Sequence, residues 1–514
     1  MKSAEVIAEN TALKSEVKSL KSQLQLAEAR LAILSAKTFH TKSEKHPNQP
    51  ELPFEFNEAE VIVDQNSAVE ETTISKQIRK TRKSRTETQT PDHLPRVDVH
   101  HKALITDCPC CQSELKETKP EIQEQLACLP TKFYVVRHHY QRFTCDCDQQ
   151  PPITAQRPPR ALPKSGIHAV ALSTWIEQKY EYALPLYRLE RMAKAAGVDI
   201  SRTTIASSII KVSQNLFQPL INLFNDSVLA YDVVWMDETR VQVIKEPGRA
   251  PESKSQFWIR RGGPPGQESI ILDYSPSRSF ETCKGLLPEF KGFLISDAYS
   301  AYMKLGTTDH VTNVLCSDHA RRKFKEAYDT LDKVSRPGSI ADQALKRYGA
   351  LYTLEKKMTH TDPVHRYKIR QEKAKPLWDA FIEWLQKMQQ QGVAHPKTTQ
   401  AIDYCLKHKE GLQTYLSDGR LPISNILAEH VAKHIAVSRK NFLFSDTPSG
   451  ATASAHCFSV IQTAKLHGHH VHKYLAVLVS ELPAAQTPEE FEVYLPWNIT
   501  LQEIAKRYSE LPLI

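Results

Sequence analysis

The chain has 514 residues, of which 40% are hydrophobic and 25% are charged, and its net charge is +8. This length predicts three or four folding units, since a typical domain has roughly 100–200 residues. No apolar run approaches the roughly 20 residues that would cross a bilayer, and the polar N-terminus has no export signal. We therefore expect a cytoplasmic protein without membrane contact, whose modest positive charge permits a polyanionic partner without requiring one.

A heptad pattern of apolar residues occupies residues 1–36. The repeat consists of Val6, Asn10, Leu13, Val17, Leu20, Leu24, Ala27, Leu31 and Leu34. It predicts a coiled coil that joins two or more copies of the chain, with Asn10 in the seam favouring a dimer. The alternative is one amphipathic helix packed on its own protein. Residues 37–98 are a predicted linker, and the basic run at residues 76–85 either follows a phosphate backbone or is solvated.

The ten cysteines of the chain argue against a disulfide scaffold in the cytoplasm, because four of them form two close pairs. The pairs are Cys108 with Cys111, and Cys145 with Cys147. Four thiolates can hold one structural Zn²⁺, so we predict a zinc-finger-like module at residues 99–155. Cys110 competes with Cys111 for this role, and His138 or His139 can replace a sulfur. Buried free thiols are the alternative.

Residues 156–228 have a mainly helical pattern. One helix is followed by a break at Gly197, and Ser201 then caps a second helix that begins with Arg202. This order predicts a helix-turn-helix, in which Arg202 would contact DNA. Many helical bundles contain such a turn, so a purely structural role is the alternative.

Residues 229–330 change to a strand pattern. Three antiparallel strands, of which the first carries Asp237, are followed by a helix and by a strand that ends at Asp297. This is the element order of an RNase H-like core, in which the first and fourth strands are neighbours. Two carboxylates held close together repel each other unless a cation bridges them, and two Mg²⁺ or Mn²⁺ ions are natural bridges.

A third carboxylate follows a long helical segment, which we predict to be an insertion at residues 331–420. The second part of the core, residues 421–466, places Asn425, Glu429 and Lys433 four residues apart and therefore on one helical face. We predict that Glu429 is the third metal ligand and that Ser424 or Asn425 caps this helix. Residues 467–514 are a predicted C-terminal helical tail. Because the chain has 59 acidic residues, a chance combination of three is the alternative.

Several basic and polar side chains near these carboxylates are predicted to contact DNA. They are Arg321, Arg322, Lys323, Asn425, Lys433, Arg439, Lys440 and Asn441. The arginines and the lysine at positions 321–323 either touch DNA or brace the carboxylates. Cys316 and His319 form a Cys-x2-His pair that either binds a metal or, as we favour, packs beside the active site.

Four sequence blocks resemble the signature of the insertion sequence 66 family of transposases. They are Asp237-Glu-Thr, Ser296-Asp-Ala-Tyr-Ser-Ala-Tyr302, Cys316-Ser-Asp-His-Ala-Arg-Arg-Lys-Phe324 and Ser438-Arg-Lys-Asn-Phe-Leu-Phe444. The chain departs from the family at Ser424-Asn425-Ile426, where Asp-Asn-Asn is usual, and at the shortened pair Cys145-x-Cys147. The resemblance covers nearly the whole chain.

The resemblance implies a multidomain α/β protein with an RNase H-like core, in which Asp237, Asp297 and Glu429 form a DDE triad. It implies Mg²⁺-dependent cleavage of DNA at transposon ends and strand transfer into target DNA, without a covalent protein intermediate. It also implies that small accessory proteins of the same element can take part. Two alternative hypotheses stand beside this one. They are a catalytically decayed, transposase-derived DNA-binding protein and a zinc- and zipper-mediated assembly protein without sequence-specific DNA binding.

Overall fold

The computed structural model describes residues 132–143, 153–154, 156–163, 165–308 and 310–512. The predicted coiled coil, the predicted linker and the four cysteines of the predicted zinc module lie outside the described residues. The composition of residues 132–143, which are rich in β-branched and aromatic side chains, predicts a strand. Only Arg142–Phe143 is a strand, β1, which pairs antiparallel with β2, Ile153–Thr154. The rest of that prediction is wrong, since strand propensity needs a pairing partner to take effect.

Four helices precede the main sheet. They are α1 (Ala169–Tyr180), α2 (Leu186–Ala195), α3 (Arg202–Val212) and α4 (Gln218–Leu229), with one π-helical turn at Ser213–Phe217. Gly197, between α2 and α3, has a φ of 79°, a backbone conformation that glycine adopts without strain. The Ser201 hydroxyl accepts a hydrogen bond of 3.1 Å from the Thr204 N–H, so the predicted cap is present. The predicted helix, turn and helix are therefore observed, while their DNA-binding role stays a prediction.

Five strands form one mixed sheet in the order β5-β4-β3-β6-β7. They are β3 (Val233–Gln242), β4 (Lys254–Gly262), β5 (Ser269–Ser275), β6 (Gly292–Ser296) and β7 (Val311–Leu315). The first three are antiparallel, whereas β6 is parallel to β3 and β7 is parallel to β6. Helix α5 (Phe280–Leu286) precedes β6, and α6 (Ser300–Leu305) precedes β7. The predicted adjacency of the strands that carry Asp237 and Asp297 is therefore observed.

A helical segment follows β7, and in the described part of residues 316–420 the structure has no strand. Its helices are α7 (Ser317–Asp329), α8 (Ile340–Lys357), α9 (Pro363–Ile369), α10 (Lys375–Gln391), α11 (Pro396–Lys407) and α12 (Lys409–Gln413), with a π-helical turn at Arg370–Ala374 and a 3-10 turn at Thr414–Ser417. The ring of Tyr348 packs edge-on against the rings of Trp378 and Phe381, and each of the three residues is at most 1% exposed. This segment therefore has a hydrophobic core of its own.

The last helices return to the sheet. They are α13 (Ile426–Phe442), α14 (Pro448–Leu466), α15 (Val471–Glu481), α16 (Pro488–Glu492) and α17 (Leu501–Ser509), with a 3-10 turn at Leu482–Ala484 between α15 and α16. Ser459 and Thr463 of α14 accept hydrogen bonds from the main-chain N–H groups of β5 at 2.8 and 3.0 Å. These hydroxyls satisfy an outer sheet edge that would otherwise be unpaired. No helix of the described ranges is both long and apolar enough to cross a membrane.

Candidate active site

Asp237 and Asp297 lie side by side because their strands are parallel and in register. Trp235 of β3 stands opposite Ile295 of β6, and each aspartate follows two residues later. Both residues are half-buried. The Oδ1 atom of Asp237 accepts a hydrogen bond from the Glu238 N–H at 2.8 Å, and that of Asp297 accepts one from the Tyr299 N–H at 2.9 Å. Main-chain donors therefore orient both groups.

Glu429 lies in the first turn of α13 and is 7% exposed. The helix is held against the sheet by Asn425, whose side-chain amide donates a hydrogen bond of 2.8 Å to the carbonyl oxygen of Met236. Asn425 occupies the N-cap position but makes no capping hydrogen bond with its side chain, so the predicted cap is wrong. Asn425 is 1% exposed, so its side chain cannot make the predicted contact with DNA in this conformation.

The three predicted metal ligands share one electrostatic environment. Burial raises the pKa of Asp237 well above its ordinary value, the neighbouring charge of Glu238 raises it further, and the charges of Glu429 and Asp297 add to this effect. The carboxylates at the end of β6 and in α13 are therefore close enough to Asp237 of β3 to oppose its ionisation. Such an arrangement favours the binding of a cation.

The carboxylate of Glu429 has different neighbours at its two oxygens. The Cys316 thiol donates to Oε1 at 3.4 Å, and His319 Nδ1 lies 3.5 Å from the same oxygen. Arg322 and Lys433 approach Oε2 at 3.8 and 3.9 Å, beyond ordinary hydrogen-bond distance. Burial raises the pKa of the Cys316 thiol, and the charge of Glu429 raises it further. The sequence offered the Cys-x2-His spacing but no sign that it would meet Glu429.

Glu238 is bound elsewhere despite its place beside Asp237. Its carboxylate accepts hydrogen bonds from the guanidinium of Arg278 and from the hydroxyl of Tyr302. The guanidinium also lies 3.7 Å from the ring centroid of Tyr299, whose N–H donates to Asp297. Glu238 therefore stabilises the loop that orients Asp297. This agrees with the alternation of side chains along a strand.

The helical segment contributes one aromatic residue to the site, Tyr404 of α11. Burial raises the pKa of Tyr404, and the charge of Asp297 raises it further. Lys323 of α7 lies over the Tyr404 ring, with its Nζ atom 4.6 Å from the centroid. Tyr404 could not be predicted from the sequence, because no local pattern reveals which turn of a distant helix meets the strand ends.

The other residues predicted to bind DNA occupy several surfaces. Arg202, Lys433, Lys440 and Asn441 are exposed, whereas Arg321, Arg322, Lys323 and Arg439 are partly exposed. Arg322 and Lys433 flank Glu429, while Arg202 lies in the first turn of α3. Their contacts with DNA stay predictions.

The donor atoms around the three carboxylates suit a hard divalent cation. The Asn425 Oδ1 atom is buried and has no hydrogen-bond partner within the described residues, so it is an oxygen available as a ligand. Carboxylate and amide oxygens are the ligands that Mg²⁺ and similar ions prefer. The residues present therefore fit such an ion.

Comparison with protein families gives three matches along the chain. The model described as "Transposase IS66 family" matches residues 164–453, which is more than half of the 514 residues. The chain belongs to the IS66 family of transposases. A model for the zinc-finger binding domain of IS66 transposases matches residues 106–148, the segment that contains the four paired cysteines. A model described as "Transposase C of IS166 homeodomain" matches residues 26–99.

Relatives of this IS66 family member occur in Sinorhizobium fredii (strain NBRC 101917 / NGR234). The uncharacterized protein y4hP is 28% identical over 423 residues, which cover 78% of this chain and 75% of y4hP. The uncharacterized protein y4jD is 27% identical over 430 residues, which cover 81% of this chain and 82% of y4jD. The predicted family is thus confirmed. Family membership supports a DNA-binding transposase that has a zinc-binding domain and uses a divalent metal.

Proposed function

We propose that the chain is a DDE-type transposase that cleaves DNA at the ends of its element and joins them to target DNA. Asp237, Asp297 and Glu429 would be its metal ligands on an RNase H-like core. The observation that carries the proposal is the parallel register of β3 and β6, which brings Asp237 and Asp297 to the same end of the sheet. The raised pKa of Asp237, caused by burial, by Glu238 and by the charges of Glu429 and Asp297, agrees with this geometry. The repulsion that Asp237 experiences is relieved when a cation binds, as it is when the carboxyl group is protonated.

The three carboxylates, with the Oδ1 atom of Asn425, would hold two Mg²⁺ or Mn²⁺ ions. When bound, such ions supply the positive charge that activates an attacking oxygen and stabilises the leaving oxygen of a phosphodiester. Asp237 lies in β3 and Asp297 directly follows β6, the neighbouring strand of the same sheet. A sheet is a rigid support for a site that depends on exact spacing. The partial exposure of both aspartates leaves room for a DNA backbone.

Basic residues beside the carboxylates would bind the phosphates of the DNA. Arg322 and Lys433 bring two positive charges beside the Oε2 atom of Glu429, at 3.8 and 3.9 Å. Lys440 and Asn441 extend this surface along α13, and Arg202 of α3 would recognise the element end. Contacts with phosphates position DNA, whereas contacts of α3 with base edges would specify its sequence.

Residues 1–36 would form the coiled coil of a dimer, residues 99–155 would bind zinc through Cys108, Cys111, Cys145 and Cys147, and accessory proteins of the element can take part. The helical insertion would span residues 331–420, and the other units would have the bounds predicted from the sequence.

A cleavage assay tests the assignment of the triad. The full chain is mixed with a labelled duplex that carries the element end, and nicking is followed with and without Mg²⁺. We expect Asp237→Asn, Asp297→Asn and Glu429→Gln each to abolish nicking while the gel shift of the duplex is retained. Asp232→Asn is the matched control, because this residue precedes β3 and is paired with Arg420 at the surface. Undiminished nicking by any triad variant would refute the assignment.

The second candidate function is a decayed transposase that binds DNA without cleaving it. It is favoured by Ser424 and Ile426, which replace the Asp and Asn of the usual family motif on either side of Asn425. A wild-type chain that binds element ends but nicks them with neither Mg²⁺ nor Mn²⁺ would support this candidate. Nicking that appears only after Ser424→Asp and Ile426→Asn are combined would identify the cause of the decay.

A further inference from the structure

Three different metal-binding side chains meet beside the proposed catalytic site. Cys316 precedes α7, His319 lies in its first turn, and Glu429 lies in the first turn of α13. One ligand atom from each of the three lies within 4.8 Å of the others. The Glu429 Oε1 atom is 3.4 Å from the Cys316 sulfur and 3.5 Å from His319 Nδ1. Ligand atoms of tetrahedral zinc, with bonds of about 2.0–2.3 Å, are separated by roughly 3.3–3.8 Å.

We infer that Cys316, His319 and Glu429 form a binding site for a soft divalent cation of the zinc class, and that an ion bound there inhibits DNA cleavage. The consequence for cleavage rests on the proposed function, whereas the site itself does not. Sulfur and imidazole nitrogen are ligands that Zn²⁺ prefers and Mg²⁺ avoids. The site is therefore chemically distinct from the all-oxygen site of the two aspartates, although both use Glu429.

The His319 ring is the second observation that points to a ligand. Its Nδ1 atom is buried and makes no hydrogen bond within the described residues. A buried polar atom without a partner is costly, and ligation of a cation would remove that cost. The ring lies close enough to Glu429 Oε1 for both to reach one ion, yet too far for a normal hydrogen bond.

The two carboxylate oxygens of Glu429 face different groups. Cys316 and His319 face Oε1, whereas the cationic Arg322 and Lys433 face Oε2. A cation at Oε1 is therefore not placed between the basic side chains and the carboxylate. Three protein ligands leave a fourth position for water, which is the pattern of an accessible rather than a closed structural site.

The cluster is preorganised by main-chain contacts. The Asn425 N–H donates to the Cys316 sulfur at 3.2 Å, and the Ser317 N–H donates to the carbonyl oxygen of Ile423 at 3.0 Å. These bonds tie the start of α7 to the start of α13. Burial and the charge of Glu429 raise the pKa of the Cys316 thiol, an effect that the Asn425 N–H opposes in part. The thiol proton is therefore displaced when the ion binds, and it passes to solvent.

Occupancy of this site would compete with catalysis. An ion bound at Oε1 neutralises the charge of Glu429 and holds the carboxylate towards α7. The all-oxygen site then loses one of its three carboxylates. Cleavage at a fixed Mg²⁺ concentration is therefore expected to fall as Zn²⁺ is added.

Counting bound ions tests the site without reference to activity. The full chain, purified with zinc, is exchanged into buffer with excess Co²⁺ or Zn²⁺ and separated from free ion, and bound metal is measured by mass spectrometry. We expect Cys316→Ser and His319→Asn each to bind one ion fewer per chain than wild type. We also expect Cys316→Ser to lose part of the thiolate-to-cobalt absorption. Cys457→Ser is the matched control, because Cys457 is a free cysteine at 0% exposure in α14, away from the cluster.

A second test measures how strongly Zn²⁺ inhibits DNA nicking. Each variant is compared with its own nicking rate in Mg²⁺ alone, and the Zn²⁺ concentration that halves this rate should rise by at least about tenfold in Cys316→Ser. Equal ion counts for wild type and both variants would overturn the inference, even if cleavage falls, since that pattern means Cys316 and His319 only position Glu429. If the wild type nicks no DNA, the proposed function fails while the ion count still decides the site.

Discussion

The side-chain amide of Asn425 donates to the carbonyl oxygen of Met236, the residue before Asp237, across 2.8 Å. This bond joins the helix that carries Glu429 to the strand that carries Asp237. It is buried, and its two partners are 189 positions apart in sequence. One amide therefore fixes how the third carboxylate approaches the first.

Substitution of Asn425 should weaken both folding and cleavage. We expect Asn425→Ala to lower the free energy of unfolding by about 1–3 kcal/mol, because a buried hydrogen bond is lost and a carbonyl is left without this donor. Nicking should fall by more than the loss of folded protein, since Glu429 is no longer held. Urea unfolding and the nicking assay measure the two effects.

Asn441→Ala is the control for stability, because Asn441 is exposed at the other end of the same helix. It should change the free energy of unfolding by less than about 0.5 kcal/mol. Equal effects of the two substitutions would mean that the Asn425 bond does not hold α13 in place.

Most strands of the sheet could be predicted from the sequence, whereas most side-chain contacts around the ends of β3 and β6 could not. The order of three antiparallel strands, a helix and a strand that ends at Asp297 sufficed to predict that the first and fourth strands are neighbours, which the parallel register bears out. The spacing of four residues placed Glu429 on a helix. These features are local, and the pairing rules of sheets extend them to distant strands.

Contacts between distant elements were beyond the reach of sequence patterns. Asn425 resembled a helix cap, because side chains of its type commonly bond to the next turn, yet its amide binds β3. Strand β7 was missed because Thr312 and Asn313 interrupt its apolar pattern. The approach of Tyr404 to Asp297 depends on the packing of a whole helical segment, for which periodicity carries no information.

Arg370 should be essential for folding of the helical segment. Its guanidinium is 1% exposed, binds Glu355 through two hydrogen bonds of 2.9 and 2.7 Å, and donates to the carbonyl oxygens of Tyr415 and Asp418. We expect Arg370→Ala to cost about 3–5 kcal/mol, because it leaves a carboxylate unpaired in a largely buried place. Urea unfolding and limited proteolysis of residues 331–420 measure this loss.

A double substitution separates charge from packing in that segment. Arg370→Leu combined with Glu355→Leu should recover part of the loss, since no unpaired charge remains, but not all, since two carbonyl groups keep no donor. Lys375→Ala is the surface control and should cost less than about 1 kcal/mol, because its pair with Asp379 is more than half exposed. The prediction would be contradicted if Arg370→Ala lowered the free energy of unfolding by no more than Lys375→Ala does.

Arg202 should determine binding to the element end. It is exposed at the first turn of α3, the position from which the second helix of a helix-turn-helix enters the major groove. If it binds a phosphate, Arg202→Ala should weaken the gel shift on all duplexes and reduce the slope of log affinity against log salt by about 0.9. If it reads a base, the loss should be about 1–3 kcal/mol and confined to the element end.

Lys211→Ala is the matched control, because Lys211 is an exposed cation in the last turn of the same helix. Its removal should change the affinity for the element end much less than the removal of Arg202. Equal effects of the two variants would exclude α3 as a helix that enters the groove with its first turn.

Asp237→Asn should stabilise the metal-free protein while it abolishes cleavage. Asparagine keeps the oxygen that accepts from the Glu238 N–H but cannot ionise, so the repulsion from Glu238, Glu429 and Asp297 is removed. Each unit by which the pKa of Asp237 is raised corresponds to about 1.4 kcal/mol of stability lost when the group is ionised. The variant should therefore unfold at a higher urea concentration than wild type at pH 8.

The pH dependence of this difference identifies its cause. Because the pKa of Asp237 is raised in the folded state, its contribution to stability is fully present below the unfolded-state pKa of about 4 and is lost as the pH rises through the folded-state value. The two proteins should thus be closest in stability near pH 4 and diverge towards pH 8. Urea unfolding in Mg²⁺-free buffer without a chelator, which spares the zinc module, measures this divergence. Addition of Mg²⁺ should raise the free energy of unfolding of the wild type more than that of the variant. An equal gain for the two proteins would exclude Asp237 as a ligand.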